Sequence, residues 1–72
     1  MSNGSVHGIV RSQLHENEYG LFAEASSLEI PPGYWPTYLD VEEQRYRISS
    51  LDKYGATYRS EVDEEKIEVF ND

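Results

Sequence analysis

A chain of 72 residues without cysteine has room for one small domain, which buries only about 60% of the surface exposed when unfolded, and no disulfide framework can reinforce it. Its 14 acidic and 6 basic residues leave a net charge of −8, a balance that repels bare nucleic acid and anionic membrane, because both reward lysine and arginine. Six tyrosines, two phenylalanines and one tryptophan are too many rings for a disordered acidic segment, so a folded domain with a thin core is expected, one that gains from a partner or a second copy.

The first residues, Met1-Ser2-Asn3-Gly4-Ser5, lack the basic and apolar regions of a signal peptide. No apolar run approaches the roughly 18 residues of a membrane span. The expectation is a cytoplasmic chain with a flexible tail over residues 1–5 and a single β domain over 6–72. Val6 to Leu14 and Leu21 to Ile30 flank Asn17-Glu18-Tyr19-Gly20, a polar cluster closed by glycine that suits a hairpin turn. Within the second stretch, Glu24 to Leu28 contains good helix formers, but Ser26-Ser27 weakens a helix and fits a bulge as well.

Ile30-Pro31-Pro32-Gly33-Tyr34-Trp35-Pro36 breaks any regular element, because proline lacks the donor N–H and pushes its predecessor towards extended geometry. It reads as the connection between an N-terminal hairpin and a C-terminal meander. Beyond it, Tyr38-Leu39-Asp40-Val41 is β-prone and Glu42-Glu43 can serve as a tight loop; the alternative is a short helix near 37–46, with Thr37 as N-cap.

From Tyr46 onwards the period is two. Tyr46, Ile48 and Ser50 alternate with Arg45, Arg47 and Ser49; after Asp52-Lys53-Tyr54-Gly55, Ala56, Tyr58, Ser60 and Val62 alternate with Thr57, Arg59 and Glu61. That pattern predicts two antiparallel strands joined by a type I turn with Gly55 in the left-handed region. Asp63-Glu64-Glu65 then turns into Lys66 to Phe70, where Ile67 and Val69 share a face. Five to six short strands predict an all-β fold, a small antiparallel sheet or a barrel that resembles the SH3-like barrels in length, although no family motif accompanies the likeness. A helix near 37–46 would make the domain α+β.

No catalytic set assembles from these residues. The serines stand in no Gly-x-Ser-x-Gly setting. His7 and His15 would lie about 26 Å apart along one strand, so neither metal nor cofactor is expected. The carboxylate runs Glu42-Glu43 and Asp63-Glu64-Glu65 lack the glycine and spacing of a calcium loop and read as solvated turns. Arg45, Arg47 and Arg59 are predicted to share one outward face, where they could meet an anion or an acidic partner or simply form cross-strand pairs with Glu61 and Glu68.

The most distinctive segment runs from Pro31 to Tyr38. Tyr34, Trp35 and Tyr38 stand among three prolines, and rigid amphipathic rings of this kind dominate binding hot spots; they can equally plug the end of a small barrel. The expected function is a non-enzymatic protein-interaction module, an accessory or regulatory subunit, that binds a protein partner through Tyr34, Trp35 and Tyr38 or through an open sheet edge. The alternative is an acidic mimic of nucleic acid that blocks a DNA- or RNA-binding protein.

Overall fold

The computed structural model describes residues 4–71. The period-two segments become strands: β1 (Ser5–Ile9), β2 (His15–Asn17), β3 (Gly20–Glu24), β4 (Tyr38–Val41), β5 (Gln44–Asp52), β6 (Gly55–Ser60) and β7 (Lys66–Phe70), with short 3-10 turns at Arg11–Gln13 and Ala25–Leu28. They form one sheet in the order β1-β4-β5-β6-β7-β3-β2. The pairs β1 with β4 and β3 with β7 are parallel, and the others are antiparallel. The sheet curls into a half-barrel. Its concave side holds Ile9, Leu39, Val41, Tyr46, Tyr58, Ile67 and Val69, each no more than 3% exposed.

The all-β class, the C-terminal meander and the hairpin through Glu42-Glu43 match the sequence reading, and four features differ. The sheet has seven strands and is mixed, because the N-terminal hairpin docks in parallel on β7 instead of adding an antiparallel strand. The stretch Val6 to Leu14 is not one strand: the 3-10 turn at Arg11–Gln13 separates β1 from the three-residue β2, which carries the hairpin. The alternative of a short helix at 37–46 is not realised: β4 and β5 pair there, with Leu39 opposite Tyr46 and Val41 opposite Gln44, and Leu39, Val41 and Tyr46 share the buried face. Val62 lies in the turn after β6, 85% exposed, instead of continuing the apolar face. A bulge between Ile48 and Ser50 turns Ser50 outward opposite Thr57.

The expected tail divides. Residues 1–3 lie outside the described residues, whereas Ser5 opens β1 and the Gly4 carbonyl accepts the backbone N–H groups of Thr37 and Tyr38. Glu24 to Leu28 does contain a short helical turn, at Ala25–Leu28.

Two turns share one chemistry. Asn17 Oδ1 accepts the backbone N–H of Tyr19 at 2.8 Å and of Gly20 at 3.1 Å, and Asp52 Oδ1 does the same for Tyr54 and Gly55. These side chains mimic a backbone turn. The β5–β6 loop is Lys53-Tyr54, the two central positions of the expected four-residue turn. Gly55 has φ +153°, and a Cβ there would stand 1.9 Å from the Val69 carbonyl oxygen, so the close approach of β7 admits only glycine.

Gly55→Ala is therefore expected to cost more than about 2 kcal/mol of unfolding free energy, through both strain and displacement of β7. Gly33→Ala, at φ +80° with open space around it, should cost about 1 kcal/mol. Urea denaturation of the two variants checks the order.

Candidate functional site

The proline segment is built from its own turn. The Tyr34 N–H donates to the Pro31 carbonyl at 3.1 Å, and Gly33 has φ +80°. Proline followed by glycine in these positions suits a type II turn. The chain is then nailed down: Trp35 packs half-buried against the core, Pro36 is buried, and the buried Tyr58 hydroxyl donates to the Pro36 carbonyl at 2.7 Å. Tyr34 is left 70% exposed on a fixed backbone.

Other rings reach the same end of the half-barrel. Asn71 lines a small cleft with Pro31, Pro32, Gly33 and Trp35, its side chain donates to the Lys53 carbonyl at 2.9 Å, and its backbone N–H donates to the Tyr54 carbonyl at 2.8 Å. The β5–β6 loop is thereby tied to the proline segment. Tyr54 is 65% exposed and Leu51 56%, so this end carries an apolar rim.

The three aromatic candidates do not stay together. Tyr38 lies on the convex face of β4, opposite Arg47, with the Arg45 guanidinium 4.7 Å from its ring centre, a cation–π arrangement. Arg45 also holds Asp40 through two bonds, Nε to Oδ1 at 2.9 Å and Nη2 to Oδ2 at 3.2 Å, and His7 Nδ1 stands on the other side of Asp40. The Arg45 bonds hold the Asp40 carboxyl below its usual value.

The three arginines do share the convex face, as the alternation predicts. Arg47 stands directly opposite Arg59, and Arg59 directly opposite Lys66. Lys66 escaped the sequence reading because its register depends on the length of the turn between β6 and β7. Arg59 pairs with Glu64 at 2.9 Å. Among the described residues, Arg47 and Lys66 have no hydrogen-bonding or ionic side-chain partner.

The end opposite the aromatic rim is acidic, and most of its carboxylates hold the fold. Glu42 accepts the Arg11 backbone N–H at 3.0 Å. Glu65 accepts the Tyr46 hydroxyl and pairs with the Arg11 guanidinium. Asp63 accepts from the Gln44 amide at 2.9 Å, which holds its carboxyl below its usual value, and the same amide donates to Ser60 Oγ at 2.6 Å. Glu42 and Glu64 sit at φ 57° and 62°, a left-handed geometry that their neighbours impose against its cost.

Among the described residues, no group of three or more histidine and acidic side chains is placed to hold a metal ion, and no helix is long and apolar enough to cross a membrane. His15 lies against Phe22 with ring centres 5.4 Å apart. No family model, curated protein or solved structure matches the chain.

Burial pushes the Tyr46 phenol up to about 12, with its bond to Glu65 adding to the effect, and burial raises Tyr58 as well. Unfolded tyrosines ionise first, near pH 10. The stability these protons confer is thus complete below about pH 10 and is lost as pH rises through the folded-state values. Above about pH 10, unfolding free energy should fall by about 1.4 kcal/mol per pH unit for each of the two phenols. Tyr46→Phe should remove one of the two contributions, read from urea titrations across the alkaline range.

Proposed function

We propose that the chain is a non-catalytic protein-binding domain that engages a protein partner through the end of the half-barrel carrying Tyr34. The observation that carries this reading is the contrast between neighbours: Trp35 is anchored in the core, while Tyr34 is held out by a turn with nothing to gain from its exposure. A ring fixed in place before binding loses little conformational entropy on contact. Tyr54 and Leu51 extend the surface from the adjoining loop, and exposed tyrosines beside a rigid connection are the usual material of binding hot spots. Trp35 serves this surface as its foundation, and Tyr38 belongs to a different face.

The second reading, mimicry of a nucleic acid by the acidic end, draws on Glu42, Glu43 and Asp63, which line one depression with Arg11. It is the weaker of the two. Glu42, Asp63, Glu64 and Glu65 are engaged within the fold, and Arg11 interrupts the array, whereas a phosphate mimic needs an uninterrupted row of free charge.

Immobilised chain challenged with a lysate of its source cells tests the proposal. Tyr34→Ala should leave unfolding free energy within about 0.5 kcal/mol of the parent and weaken capture of a specific protein at least about tenfold. That complex should persist at high salt, where a charge-mimic complex would dissociate. Capture that is unchanged by Tyr34→Ala and lost at high salt would overturn the reading.

A further inference from the structure

We infer that the convex face formed by Tyr38, Arg47, Arg59 and Lys66 docks a short acidic peptide segment of a protein partner. The inference rests on the protein-binding reading above and places a second contact on a different face. Three of the chain's six basic residues stand directly opposite one another across β5, β6 and β7. Like charges placed so are destabilising, and in a chain with 14 acidic residues the repulsion is an avoidable cost. Only Arg59 is relieved, by Glu64. Arg47 and Lys66 stand exposed without an ionic partner among the described residues.

The surroundings shape the row for a ligand. The bulge in β5 borders a shallow depression lined by Arg47, Ser49, Arg59, Glu61 and Glu64. Ser49 Oγ is committed to the Thr57 carbonyl at 3.2 Å and Arg59 gives one bond to Glu64, so the guanidinium of Arg47 is the group's fully uncommitted donor. Tyr38, its ring covered on one side by Arg45, flanks the row at β4. With strands about 4.8 Å apart, Arg47 and Lys66 stand roughly 10 Å apart. In an extended peptide, side chains on one face recur every 7 Å or so, so a segment with two or three acidic residues spans the row.

Charge complementarity selects the class of partner. Asp40, Glu61 and Glu64 border the cations, within about one Debye length. A nucleic acid would carry its phosphates beyond the row into these carboxylates and into the field of a chain with net charge −8, whereas a short acidic segment ends before it meets them.

The test is fluorescence anisotropy of the full chain with a short labelled peptide of alternating glutamate and aspartate. Arg47→Gln should weaken binding about fivefold, and Arg47→Gln with Lys66→Gln more than tenfold. Lys53→Gln, at the opposite end, should change it less than about twofold. Because neither replaced side chain holds a bond, the urea midpoint should stay unchanged or rise. Equal affinity in all variants, or an equal loss with Lys53→Gln, would overturn the assignment, as would binding of a single-stranded oligothymidylate in place of the peptide. A loss confined to Tyr34→Ala would remove this face and leave the barrel-end reading standing; a loss confined to Arg47→Gln supports this face whatever becomes of Tyr34.

Discussion

Five residues separate Ile9, at the end of one edge strand, from His15, at the start of the other, and five strands lie between those edges in the order of the sheet. Laid flat, a sheet of that width would hold its edges roughly 29 Å apart. The six steps along the chain from Ile9 to His15 reach at most about 20 Å, and the 3-10 turn at Arg11–Gln13 shortens them further. The sheet must curl. The short connection fixes the half-barrel, and the half-barrel decides which side chains face one another inside and which stand out.

Curling divides the molecule into surfaces of different chemistry. The concave side takes the apolar half of each strand, and buried hydroxyls are satisfied at its rim, Tyr58 on the Pro36 carbonyl and Tyr46 on Glu65. Arg11, in the connection itself, uses its backbone on Glu42 and its guanidinium on Glu65, so the turns after β4 and β6 are bound to the link that curls the sheet. Much of the acidity at that end is thereby structural. The opposite end carries the proline turn and exposed rings, while the convex face keeps a row of cations of which only Arg59 has an ionic partner.

The legible parts of the sequence were those governed by local rules. Tyr46, Tyr58, Ile67 and Val69 follow a strict period of two, and Gly20 and Gly55 close polar turns, so the all-β class and the meander could be read directly. What escaped was set at long range. The parallel docking of Leu21 beside Ile67 and of Val6 beside Leu39 leaves no local mark, because each strand alternates in the same way whichever neighbour it takes. Lys66 joined Arg47 and Arg59 only through register across three strands, and Tyr38 parted from Tyr34 because β4 begins between the proline segment and the arginine-rich strand. In both cases residue type was visible and facing direction was not.

The claim on which the rest depends is that β1 and β3 join the meander in parallel and so close one curled sheet. Long-range nuclear Overhauser contacts in the isotopically labelled chain test it most directly. Backbone cross-peaks linking Leu21 and Ala23 with Ile67 and Val69, and Val6 with Leu39, are expected. A spectrum with the β2–β3 and β4–β7 contacts but without those cross-peaks, describing a hairpin and a meander that fold side by side, would contradict it.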